Sequence, residues 1–96
     1  MRTVIFVAND YEAENIFSLK EFSIVENEPF KTWKHSTKNI YVVITGIGKT
    51  NAGAAAQWAL LKFDPDHCIN LGLVGGLNTE LKIGEVMQVS ACAFHE

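Results

Sequence analysis

The chain has 96 residues, 48% of them hydrophobic and 20% charged, with a formal charge of −3. That apolar content excludes a disordered chain. The absence of any basic run excludes the electrostatic footprint of a nucleic-acid or anionic-membrane binder.

Thr3 to Ala8 is short, β-branched and almost wholly apolar, which predicts a central strand buried on both faces. Asn9 or Asp10 can cap a following helix from Tyr11 to about Leu19, with Glu12 and Glu14 in its favourable first turn. Asn9, Asp10 and Glu12 therefore come at the carboxyl end of a strand. Phe22 to Val25 and Phe30 to His35 read as strands separated by the turn cluster Asn27-Glu28-Pro29. After a second turn at Ser36 to Asn39, Ile40 to Ile44 reads as a buried strand, so the middle of the chain predicts an antiparallel meander within an α/β protein.

Two glycine turns then organise the chain. Thr45-Gly46-Ile47-Gly48-Lys49 follows the strand at Ile40, and Gly72-Leu73-Val74-Gly75-Gly76 follows a run from Cys68 to Leu71 that also reads as buried. Between them Thr50 to Phe63 has helical character. Trp58, Leu60, Leu61 and Phe63 supply its apolar face, and Asp64-Pro65-Asp66 stops it. Gly53 in this helix fits a close approach of helix to sheet. Beyond the second turn, Asn78 to Glu80 is a loop, and Val86 to Phe94 reads as a long strand. Ligands of α/β sheets bind at the carboxyl ends of the strands, where both glycine turns fall.

The turns match neither common nucleotide fingerprint. A phosphate loop needs a glycine five residues before Gly48, where Val43 stands. A dinucleotide loop needs a third glycine where Asn51 stands. From spacing alone, two readings stay open: a backbone cradle for a ligand, or tight strand-to-helix packing. Glu12 likewise reads either as a general acid or base, or as an ordinary acid of a helix's first turn. Trp33 and Trp58 read as packing residues. The two cysteines, Cys68 and Cys92, read as buried free thiols of a reduced compartment. The histidines are scattered, so neither a metal site nor a cofactor is expected. The N-terminus lacks the pattern of a signal peptide and no apolar run is long enough to span a bilayer, which predicts a cytoplasmic protein that meets neither membrane nor nucleic acid.

Taken together, the first glycine turn with its Ala-rich helix, the run Ile69-Asn70-Leu71-Gly72-Leu73-Val74-Gly75-Gly76-Leu77, the strand entry Leu81-Lys82-Ile83-Gly84-Glu85-Val86 and the ending Phe94-His95-Glu96 resemble the purine/uridine phosphorylase superfamily. The resemblance is nearest to its hydrolytic branch, the 5′-methylthioadenosine/S-adenosylhomocysteine nucleosidases. It implies a three-layer α/β/α fold around a mixed, phosphorylase/hydrolase-like sheet. It implies cleavage of the N-glycosidic bond of a purine nucleoside, as in methionine salvage, by an enzyme that is usually oligomeric.

On that resemblance Glu12 matches the carboxylate that activates water. Ala8 and Asn9 belong to the same strand end, and Ile47 matches a residue beside the sugar. Gly72, Leu73, Val74 and Gly75 match the turn that lines the nucleophile pocket. Leu73 replaces the family's serine, whose hydroxyl helps hold phosphate or water, so the resemblance points away from phosphorolysis. Futalosine hydrolases and nucleoside phosphorylases remain alternative relatives. Full-length members continue well past the length of this chain and carry their base-binding residues there. Residues 1–96 therefore read as a single partial domain, truncated at the C-terminus and inactive alone. Its expected partners are a small nucleoside and either a second copy or a complementary C-terminal half. A non-catalytic nucleoside-binding or assembly module is the alternative from a different class.

Overall fold

In chain order the elements are β1 (Thr3–Val7), α1 (Asp10–Ile16), a 3-10 turn (Leu19–Glu21), β2 (Phe22–Glu26), β3 (Thr32–His35), β4 (Ile40–Ile44), α2 (Lys49–Phe63) and β5 (His67–Asn70). They come from a computed structural model that describes residues 1–72 and 85–92. The strands form one mixed sheet in the order β2-β3-β4-β1-β5. β1 runs parallel to both β4 and β5, and the meander β2-β3-β4 is antiparallel. The apolar β1 takes the interior place that its composition requires. Consequently the α2 crossover steps over β1, and the two strands that precede the glycine turns flank it.

Alternate residues of β1 feed two separate cores. Val4 and Phe6 join Val43 of β4 and pack on Ala55, Ala59 and Phe63 of α2. Ile5 and Val7 join Val42 and pack on Ala13 of α1. One helix thus covers each face, which is the three-layer α/β/α arrangement expected from the resemblance. Both tryptophans pack: Trp58 meets the rings of Phe63 and Phe30 in the first core, and Trp33 borders the second.

The buried face of α2 differs from the expected one. Ala55, Ala59 and Phe63, four residues apart, face the sheet, while Leu60 and Leu61 are exposed. Alanines let the helix lie close to the β-branched sheet surface, and the larger leucines are left outside. Gly53 does not serve that approach, since a β-carbon there would meet open space. At its end α2 turns through Asp64 in the left-handed region, whose N–H bonds to Leu60 O. Arg2 then ties this end to β1. Its guanidinium donates to Phe63 O, its N–H donates to Asp66 Oδ2, and its carbonyl accepts from Asp66 and His67.

Four other expectations are corrected. The first helix stops at Ile16 rather than Leu19, because Phe17 is extended and packs into the second core, its ring 5.9 Å from that of Phe22. The third strand begins at Thr32 rather than Phe30, and Phe30 instead packs against Trp58. β5 is exposed along its whole length, Cys68 included, because both helices pack over β1 and β4. Finally, residues 85–92 form no strand and are exposed, with Cys92 among them. A strand exists only through its ladder partners, and the described residues provide none there. Residues 93 and 94, the rest of that expected strand, lie outside the described residues with His95 and Glu96, as does the loop at Asn78 to Glu80.

Candidate functional site

Because β1, β4 and β5 are parallel, their carboxyl ends share one edge of the sheet. Three backbone bonds hold these ends together beyond the regular ladder. Thr45 N–H donates to Val7 O at 2.8 Å, Gly46 N–H to Ala8 O at 2.9 Å and Leu71 N–H to Phe6 O at 3.0 Å. The first glycine turn and the approach to the second are thereby fixed against β1 before any side chain is considered.

Glu12 enters this edge from α1. Asn9 rather than Asp10 is the helix cap: its Oδ1 accepts the Glu12 N–H at 2.8 Å, and its carbonyl accepts from Ala13. This places Glu12 at the third helical position, from which an acidic side chain folds back toward the chain before the helix. It does so here, and Oε1 accepts the Ala8 N–H at 3.1 Å. The bond reaches one residue further back than in the usual capping box. Glu12 is thereby drawn inward, to 9% exposure. Its second oxygen, Oε2, points at Gly72, on which a built β-carbon would lie 3.2 Å away. A buried carboxylate is costly without donors, so this one needs the fixed backbone around it.

The first glycine turn has its own bracing. Gly46 and Gly48 sit at φ of +84° and +100°, which side-chain-bearing residues rarely adopt. The buried Thr45 hydroxyl donates to Gly46 O at 2.7 Å, and Asn51 Nδ2 donates to Ile47 O at 2.9 Å. Neither Thr45 nor Asn51 was singled out from the sequence. The available signal is that Thr and Asn side chains beside a turn tend to bond local carbonyls.

The structure therefore brings Ala8, Asn9, Glu12 and Gly72 together at one strand edge, with Ile47 exposed in the neighbouring turn. Asn9 has its side-chain oxygen engaged in the cap. Leu73, Val74 and Gly75 lie outside the described residues. Asp10 sits apart in an ion pair with Lys31 at 3.2 Å. Among the described residues no three His, Cys, Asp or Glu side chains are grouped to hold a metal ion. None of the described helices is long and apolar enough to cross a membrane.

Glu12 and Gly72, which the sequence resemblance assigns to one side of a pocket, lie beside each other here. Residues 2–96 match the model of the phosphorylase superfamily. The chain is 36% identical over 67 residues to the 5′-methylthioadenosine/S-adenosylhomocysteine nucleosidase of Aeromonas salmonicida, covering 70% of this chain and 29% of that protein. It is 30% identical over 83 residues to the enzyme of the same name from Staphylococcus carnosus, covering 86% and 36%. A crystal structure of the Neisseria meningitidis nucleosidase in complex with methylthio-immucillin-A superposes with a TM-score of 0.72 at 29% identity, covering 88% of this chain and 38% of that one. The chain thus spans about a third of the length of these relatives. With the family pattern running through nearly every residue and its α/β sheet reproduced, the chain belongs to the phosphorylase superfamily.

Proposed function

We propose that this chain supplies the nucleophile side of a nucleosidase site, one that hydrolyses the N-glycosidic bond of a purine nucleoside of the methylthioadenosine or adenosylhomocysteine type. The observation that carries the proposal is the Glu12 carboxylate, buried at the strand edge with one oxygen on the Ala8 N–H and the other directed at Gly72. Hydrolysis of this bond builds positive charge on the ribosyl group as the base departs. A water on the opposite face captures that centre as a carboxylate holds it and takes its proton, and such a general base contributes about 10²–10⁴-fold. Ala8, Asn9, Ile47 and the turn from Gly72 to Gly75 line the same side in this reading. Leu73, which lacks a hydroxyl to hold an anion, favours water over phosphate as the acceptor. Names of the relatives support the substrate class.

In this reading residues 1–96 are one part of a larger domain, and base binding and protonation of the leaving group reside elsewhere in it. The exposed apolar residues Leu60, Leu61, Val86 and Met87 fit assembly with that part or with a second copy, in the cytoplasm. Fusing residues 1–96 to the remainder of the Staphylococcus carnosus relative tests the function. The fusion is expected to release adenine from methylthioadenosine, and Glu12→Gln is expected to lower that rate by about a hundredfold or more. Equal rates with and without the change, in a folded fusion, would overturn the assignment. The chain alone is expected to show no turnover.

A further inference from the structure

We infer that Gly72 is a positioning residue for Glu12: the missing β-carbon two residues past β5 is what allows the carboxylate to stand where it does. Three observations lead there. First, Gly72 does not occupy the positive-φ region, unlike Gly46 and Gly48. A left-handed φ therefore does not explain the glycine. Second, Glu12 crowds the space a β-carbon would enter, with Oε2 3.2 Å from the β-carbon position. That is closer than the ordinary contact of a carbon with a carboxylate oxygen, so one partner must give way by a few tenths of an ångström.

Third, neither partner moves without cost. The backbone just before Gly72 is tied to β1 through Leu71 N–H and Phe6 O. Glu12 is held at its main chain by Asn9 and at its carboxylate by Ala8. Displacement therefore falls on the longest of these bonds, the 3.1 Å contact between Ala8 N–H and Oε1. Gly72 thus acts through Glu12, beyond its general place in a pocket-lining turn. Its part in catalysis rests on the reading of Glu12 as the water-activating group; the geometric coupling does not.

The test is a two-by-two set in the full chain: wild type, Gly72→Ala, Glu12→Ala and the double variant. In Gly72→Ala the Ala8 amide resonance is expected to shift and its hydrogen exchange to speed up by about tenfold. The melting temperature is expected to fall by about 4 °C. In the Glu12→Ala background the same glycine change is expected to leave the melting temperature unaltered or raised, because the crowding atom is gone and alanine restricts the unfolded chain. If Gly72→Ala fails to fold while the double variant folds, the inference stands. An unshifted Ala8 amide, or an equal loss of stability in both backgrounds, including failure of both to fold, overturns it. In the fusion described above, Gly72→Ala is expected to lower kcat with KM changed by less than about twofold, and to add nothing once Glu12 is replaced by Gln. If Glu12→Gln leaves turnover intact, the catalytic reading fails while the amide result still decides the coupling.

Discussion

The Ala8 N–H donates to Glu12 Oε1 at 3.1 Å while the Ala8 carbonyl accepts the Gly46 N–H at 2.9 Å. One peptide-bearing residue thus joins the buried carboxylate to the first glycine turn. Thr45 reinforces the link by donating to Val7 O. The carboxylate and the turn belong to different elements, α1 and the loop after β4, yet both are referenced to the same strand end. Relative placement of this kind is what a site needs if a reacting group must be held to within fractions of an ångström.

The Glu12 side chain has a structural part that can be separated from its proposed chemical one. Glu12→Gln keeps an oxygen able to accept from Ala8, so stability is expected to change by less than about 1 kcal/mol. Glu12→Ala leaves the half-buried Ala8 N–H without this acceptor and is expected to cost about 1–3 kcal/mol. Urea denaturation of the two variants measures the difference. Equal losses would show that Ala8 does not depend on this bond.

The Asn9 cap sets the start of α1 and the reach of Glu12. Asn9→Ala is expected to lower stability by about 1 kcal/mol, whereas Asn9→Asp and Asn9→Ser retain most of it. The Glu12 amide, which donates to Asn9 Oδ1 at 2.8 Å, should lose exchange protection in the alanine variant only. Denaturation curves and amide exchange report the two effects.

Glycines of this chain are expected to respond in opposite directions. Gly48→Ala meets no neighbouring atom but forces an L residue to φ of +100°, and is expected to cost about 1–3 kcal/mol through backbone strain alone. Gly46→Ala adds contact with Asn51 Nδ2, 3.2 Å from the β-carbon position, and is expected to cost at least as much. Gly53→Ala lies in a helix interior facing open space and is expected to stabilise by about 0.5–1 kcal/mol. Thermal melts of the three variants rank these effects, and a loss at Gly53 would show that its side is covered.

The two faces of α2 give a further contrast. Phe63→Ala removes a buried ring that stacks on Tyr41 and meets Trp58, and is expected to cost about 3–5 kcal/mol. Leu61→Lys, on the exposed side, is expected to stay within about 0.5 kcal/mol of the parent chain. Circular dichroism melts distinguish the two, and a large loss at Leu61 would place it in a contact between copies.

Elements with local signals were legible in the residues alone. Unbroken apolar runs marked β1 and β4 as interior strands. Asn9 or Asp10, ahead of Glu12 and Glu14, marked the start of α1 to within a residue, and Asp64-Pro65-Asp66 marked the end of α2. Joint order of the two glycine turns carried the family. Other features depend on neighbours distant in sequence. An Ala-rich helix with leucines on several sides does not announce its buried face, and the flat surface of Val4, Phe6 and Val43 selected the alanines. β5 is apolar enough to read as buried, but its place at the edge, beyond both helices, leaves it exposed. Gly72 looked like any turn glycine. Its reason lies 60 residues earlier in Glu12, because occupancy of space is a property of folded pairs, which local spacing does not encode.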